Sequence, residues 1–138
     1  MVDSDILSVI ENEYPDRNTK IEVVSPEFTC LCPGARDQPD FGTIIVEYVP
    51  DETIIELKAL KLYLTTYRND EIFHEAATNQ ILDDLVSACA PRWMRITAQF
   101  NVRGGISTDV IVEHGNLDNI PSSSVTRKHD QSRVPSER

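Results

Sequence analysis

Polar and hydrophobic positions alternate along some stretches of this chain and recur at helical spacing along others. The changes of period mark the elements. Residues 19–25 (Thr-Lys-Ile-Glu-Val-Val-Ser) are rich in β-branched side chains and read as a strand. Residues 25–40 carry Pro26, Pro33 and Pro39 and read as irregular. Residues 41–49 read as a second strand, stopped by Pro50, and after a turn at Pro50 and Asp51 residues 53–56 look extended. Leu57, Leu60 and Leu64 then fall on one helical stripe, with Tyr63 and Tyr67 at i and i+4. Asn69 or Asp70 is placed to cap a second helix whose stripe is Phe73, Ala77, Ile81, Leu85 and Cys89 or Ala88. Asp83 and Asp84 fall toward its outer side, and Pro91 ends it. In residues 93–102, Trp93, Arg95 and Thr97 alternate with Met94, Ile96, Ala98 and Phe100, the period of a strand. Gly104 and Gly105 make a turn into a last strand over residues 106–112. The order strand, strand, helix, helix, strand, strand predicts an α+β fold, an antiparallel sheet with both helices on one face, and no internal repeat.

Length and composition narrow the setting. At 138 residues the chain fits one domain. Its 13 Lys and Arg against 23 Asp and Glu leave a formal charge of −10, which argues against nucleic acid as a partner, because phosphate neutralisation needs a cationic face. The apolar share of 40% suffices for a core. No run approaches the roughly 18 apolar residues of a membrane span, and the acidic start, Met-Val-Asp-Ser-Asp-Ile, is unlike a signal peptide. Three cysteines, an odd number, do not suggest a secreted disulfide framework. The expectation is a reduced, cytoplasmic, soluble protein. Residues 116–138 hold four cations against three carboxylates, are rich in Ser and have few large apolar residues, which predicts a mobile polar tail. Residues 1–17 then form an N-terminal segment and residues 18–115 the folded domain.

Four segments could carry chemistry. The stretch from Ser25 to Phe41 places Cys30, Cys32, Asp37 and Asp40 among prolines. A cysteine in a rigid loop with an acid nearby suits an activated nucleophile, with the acid managing protons. Two other readings stand beside it: a metal pair, although Cys30 and Cys32 lack a second pair at ligand spacing, and two small buried thiols. Cys89, in a helix stripe, reads as structural. In Glu56-Leu57-Lys58-Ala59-Leu60-Lys61-Leu62-Tyr63, Lys58 and Lys61 share a helix face that either meets an anion or is simply solvated. In Phe73-His74-Glu75 a first-turn Glu75 is favoured in its ionised form by the helix dipole, serving either the helix alone or the ring N–H donors of a ligand. His74 beside it can orient a ligand or move a proton. Arg103-Gly104-Gly105 sets a cation at a turn.

Taken together, these segments resemble the NADPH-dependent 7-cyano-7-deazaguanine reductases, the nitrile reductases of queuosine biosynthesis. The resemblance rests on Glu27-Phe28-Thr29-x-x-Cys32-Pro33, Gln38-Pro39-Asp40-Phe41, the octet Glu56 to Tyr63, Tyr67-Arg68-Asn69, Phe73-His74-Glu75 and Arg103-Gly104-Gly105-Ile106-Ser107, in collinear order. It implies the tunnelling fold, whose ββααββ unit agrees with the order read above. It also implies that Cys32 attacks the nitrile carbon to form a thioimide, that Asp40 is the general acid, and that two NADPH molecules act in turn. Glu75, with His74, Glu56 and Leu57, would bind the deazapurine. Lys58, Lys61 and Arg103 would hold the anionic cofactor, and no metal is implied. At this length the resemblance is to the single-module form, a homo-oligomer built as a decamer of two pentamers with sites between subunits.

Independent chemistry agrees with these roles. A thiolate suits a nitrile carbon and retains the reactive intermediate. A carboxyl that donates a proton needs a sheltered position. No G-x-G-x-x-G fingerprint is present, so NADPH would not be held as in doubly wound folds. The chain departs from the family in two places. Where the family carries Thr-Gly-Gln-Pro-Asp shortly after the Cys-Pro, this chain has Gly34-Ala35-Arg36-Asp37-Gln38-Pro39-Asp40, one residue longer and without the Thr-Gly pair, which leaves Asp37 as a rival acid. Ala77 stands where members often have a cysteine, so a protective disulfide to Cys32 is not expected. Two other readings remain: an amidinotransferase of archaeosine synthesis, which would lack the octet, and a non-catalytic nucleobase-binding module.

Overall fold

A computed structural model describes residues 1–116. The predicted polar tail therefore lies, apart from Asn116, outside the described residues. A single 3-10 turn, Ser4–Ile6, is followed by β1 (Val9–Glu11), β2 (Ile21–Cys32), β3 (Ala35–Val49), β4 (Thr53–Ile55), α1 (Leu57–Thr65), α2 (His74–Cys89), β5 (Trp93–Arg103) and β6 (Ile106–His114). The main sheet is antiparallel throughout, in the order β2-β3-β5-β6, and β1 pairs with β4 in a two-stranded sheet. The expected α+β, ββααββ order holds, with α1 beside β2 and α2 across β5 and β6.

Alternation along the central strands explains how the core forms. Ile44, Val46 and Tyr48 of β3 and Met94, Ile96, Ala98 and Phe100 of β5 point to the helix side. There they meet Leu60, Tyr63 and Leu64 of α1 and Ala77, Ile81, Leu85 and Cys89 of α2. The opposite face is more polar. Glu47, fully buried, is matched there by Lys20 at 2.9 Å and Arg95 at 3.4 Å, the pairing that a carboxylate removed from water requires.

The stretch expected to be irregular is instead a long hairpin. Pro26 falls at a register shift between Ser25 and Phe28, where the ladder needs no donor. Pro39 faces Leu31, whose N–H and C=O turn away from β3 to bond Asp70 and Ile72. A second shift lies between the pairs Leu31–Pro39 and Cys32–Ala35, so residues 36–38 form a bulge that absorbs the longer loop.

Other boundaries also move. Residues 1–17 are part of the fold, because Val2, Ile6, Leu7 and Val9 pack on the core and β1 covers β4. A three-residue strand is too short to show a period. Neither Asn69 nor Asp70 caps α2. Phe73 is its N-cap residue, without a side-chain bond, and Asp70 accepts the Val2 N–H at 2.9 Å. Leu57 and Phe73, placed by spacing in the stripes, are 59% and 62% exposed, so the buried faces begin at Ala59 and Leu60 in α1 and at Ala77 in α2. Asp84 is not on the outer side of α2. It accepts the Tyr63 hydroxyl at 2.6 Å, and Tyr63 in turn meets the Tyr67 hydroxyl at 2.7 Å.

Candidate active site

One end of the main sheet opens into a cavity of about 550 Å³. Cys32 comes from the end of β2, Asp40 from β3, Phe73, His74 and Glu75 from the start of α2, and Arg103 from the end of β5. Residues distant in sequence thus converge, at a size suited to a small ring system.

Local structure explains each placement. Cys32 precedes a turn in which Gly34 takes φ +81°, a conformation open to glycine at little cost. The Gly34 N–H donates to the Glu71 carboxylate at 3.1 Å. Leu31 N–H bonds the Asp70 carbonyl at 2.9 Å, and Ile72 N–H bonds the Leu31 carbonyl at 3.1 Å. The segment before α2 is therefore fastened along the strand that carries Cys32, and it delivers His74 and Glu75 to the same cavity. Sequence reading missed Glu71 because its role lies in a contact 37 positions away.

Asp40 is only 12% exposed and sits between two nitrogen groups. His74 Nε2 lies 3.1 Å from its Oδ2, and Arg103 Nη1 lies 3.5 Å from its Oδ1. Arg103 also donates to the Pro39 carbonyl at 2.8 Å. The β5–β6 turn that sets up this reach uses Gly104 and Gly105 at φ +60° and +80°. The rival acid, Asp37, is exposed in the bulge and does not line the cavity. Glu75 lines the cavity, and its carboxylate has no hydrogen-bond partner among the described residues.

The two nearby thiols differ sharply. Cys32 is partly exposed and faces the cavity. Cys30 is fully buried, and burial first, then the charges of Asp40 and Cys32, push its thiol up to about 12. A thiol so disposed stays protonated and acts as a small core side chain. Among the described residues, no group of three His, Cys, Asp or Glu is placed to hold a metal ion.

The octet does not reach this cavity within one chain. Glu56 caps α1, accepting from Lys58 N–H at 2.6 Å and Ala59 N–H at 3.1 Å. Leu57, Lys58 and Lys61 are exposed on α1. Lys61 instead lines a second cavity of about 180 Å³ together with Arg68, Glu27 and Thr29. The structure thus gathers Cys32, Asp40, His74, Glu75 and Arg103 and leaves Glu56, Leu57, Lys58 and Lys61 elsewhere.

Comparison with known proteins identifies the family and the fold. The QueF-like protein family model matches residues 39–119. The chain is 56% identical over 108 residues to an NADPH-dependent 7-cyano-7-deazaguanine reductase of Nitrosococcus oceani, covering 78% of this chain and 83% of that one. It is 51% identical over 113 residues to the protein of that name from Chlorobaculum tepidum, covering 82% and 96%. Among solved structures, the apo form of an archaeosine synthase QueF-Like aligns at TM-score 0.65 with 22% identity, covering 71% of this chain and 95% of that one, a likeness of fold. In fold the chain is a tunnelling-fold protein, and in sequence it belongs to the family of NADPH-dependent 7-cyano-7-deazaguanine reductases.

Proposed function

We infer that the chain is an oxidoreductase that reduces the nitrile of 7-cyano-7-deazaguanine to the primary amine of 7-aminomethyl-7-deazaguanine, using NADPH, in queuosine biosynthesis. The observation that carries the assignment of roles is the meeting of Cys32, Asp40, His74 and Glu75 around one cavity.

In this reading the Cys32 thiolate adds to the nitrile carbon while the nitrile nitrogen takes a proton, giving a thioimide. Asp40 supplies that proton, with His74 3.1 Å away to orient the carboxyl or replace the proton. NADPH supplies hydride to carbon, one molecule for each of the two reductions. Each hydride requires a proton at nitrogen, again from the Asp40–His74 pair. After the first reduction the C–S bond breaks, its electron pair returns to sulfur, and an imine remains. The second reduction yields the amine. Glu75 accepts from the N–H edge of the base and sets its nitrile toward Cys32.

The chain's own cations fit an anionic cofactor. Arg103 stands at the cavity with its guanidinium about half exposed. Lys58 and Lys61 are exposed and have no carboxylate partner among the described residues. Because these lysines lie on α1, away from the cavity, we read the working site as shared between copies, with a neighbour's α1 supplying Glu56, Leu57, Lys58 and Lys61. Strands β2 and β6 are the outer strands of the sheet, and association would cover them. On this reading the protein is a homo-oligomer, a decamer of two pentamers, working in the cytoplasm on a small-molecule substrate without direct contact with nucleic acid or membrane. No helix among the described residues is long and apolar enough to cross a membrane.

The test mixes the protein with 7-cyano-7-deazaguanine, looks for thioimide absorbance, then adds NADPH and follows its oxidation. Adduct followed by NADPH consumption is expected. Absence of an adduct overturns the covalent route, and an adduct without NADPH consumption overturns the reductase.

A further inference from the structure

We propose that Phe100 is a positioning residue for His74, and that Gly42 opposite it allows the close approach of β5 that sets its ring. The inference rests on the assignment of His74 to the reaction and deepens it.

The imidazole of His74 lies face to face with the Phe100 ring, centroids 3.6 Å apart and planes within 5°. Neutral aromatic rings left to themselves favour offset or edge-on contacts over such a sandwich. The arrangement therefore persists because each ring is held from outside. Phe100 is 1% exposed and is met edge-on by Phe28 at 6.2 Å. His74 is held at its edge by Asp40, 3.1 Å from Nε2. With its plane set by Phe100, the imidazole has little freedom to turn about its last side-chain bond, so Nε2 stays directed at the carboxyl.

Gly42 pairs directly with Phe100 across β3 and β5. A Cβ built there would lie 2.8 Å from the Gln99 carbonyl oxygen and 3.1 Å from both Phe100 Cα and Cδ1. The Gly42 backbone has no positive φ to explain a glycine. The space it leaves admits the β5 backbone at Gln99 and Phe100 together with the edge of the Phe100 ring. Asp40 and Gly42, two apart on β3, thus act on one imidazole, the first through its edge and the second through the ring stacked on its face.

A double-mutant cycle tests this in the full chain. In Phe100→Leu, kcat for nitrile reduction should fall about tenfold, while KM for the base and the yield of Cys32 adduct change by less than about twofold. In a His74→Ala background, Phe100→Leu should cost nothing further, because its effect passes through the imidazole. Losses that multiply in the two backgrounds overturn the proposal and leave Phe100 a core residue only. If Phe100→Leu does not fold, Gly42→Ala, which crowds the Gln99 carbonyl and the Phe100 ring, must show the same lack of additivity, and multiplying losses there overturn the proposal equally. Full activity of His74→Ala alone would overturn the role of His74 itself, a result distinct from failure of the stacking inference.

Discussion

Asp40 Oδ2 lies 3.1 Å from His74 Nε2, an edge contact that joins a strand of the sheet to the first residue of a helix 34 positions later in the chain. It puts two proton-carrying groups within one hydrogen bond of each other beside the Cys32 cavity. A single-residue acid would empty itself at each step. A pair can be refilled from its second member.

Asp40→Asn should still form the Cys32 adduct, more slowly, but should lower the rate of reduction by about 10²- to 10⁴-fold, the range for losing a positioned acid. Single-turnover mixing with NADPH measures the two steps separately. Were Asp37→Asn to give this phenotype and Asp40→Asn to spare it, the acid would be the exposed residue of the bulge.

Cys32→Ala should abolish the adduct, and Cys30→Ala should retain it. Alkylation at neutral pH followed by mass analysis should label Cys32 and leave Cys30 unmodified in the folded protein, since burial holds the Cys30 thiol protonated. Equal labelling of both would contradict the packing around Cys30.

Replacing Glu75 with Gln removes an ionised acceptor for the base and should raise the Kd for 7-cyano-7-deazaguanine about 10- to 100-fold, with a smaller effect on the chemical step. Calorimetry on a Cys32→Ala background, where no covalent bond forms, isolates this term.

Stability should fall on the alkaline side. Burial raises the Cys30 thiol from 9.0 to about 12 and the Cys89 thiol to about 11, and the Tyr48, Tyr63 and Tyr67 phenols are also raised, chiefly by burial. Above about pH 9 the unfolded chain releases these protons and the folded chain keeps them, so the unfolded state gains. Urea midpoints measured from pH 7 to 11 should be flat at first and decline from about pH 9. A midpoint that rises across that window would mean these groups ionise more readily in the fold.

If active sites are shared between copies, mixing inactive Cys32→Ala chains with Lys58→Ala, Lys61→Ala chains should restore activity through hybrid sites. Activity that never exceeds the sum of the two parents, under conditions where subunits exchange, would place the whole site in one chain.

Much of this protein was legible in local pattern. The alternation over residues 93–102 became β5, the leucine spacing became α1, with Tyr67 in the turn just past its end, and paired glycines became the β5–β6 turn. Failures came where a distant partner overrides a local signal. The prolines of residues 25–40 suggested a loop, yet shifts in register let Pro26 and Pro39 sit within strands and leave only Pro33 in the turn between them. Asp70 looked like a helix cap, but the Val2 N–H takes its carboxylate. Asp84 looked solvated until Tyr63 reached it from another helix.

The sequence by itself determined the order of the four main strands and two helices, most of their apolar faces, and the residue types able to attack a nitrile, move protons and meet an anion, because these depend on period and chemical identity along the chain. Only the tertiary structure decided which of those residues stand together. It set Cys32 apart from Cys30 by exposure, brought Asp40 and not Asp37 to the cavity, stacked His74 on Phe100, and left Lys58 and Lys61 outside the cavity. Such outcomes follow from strand register and helix docking, which arise between segments, and no single segment encodes them. The charge of −10 leaves the cations free to be local: Arg103 gains its meaning from the Asp40 carboxylate and the cavity it borders.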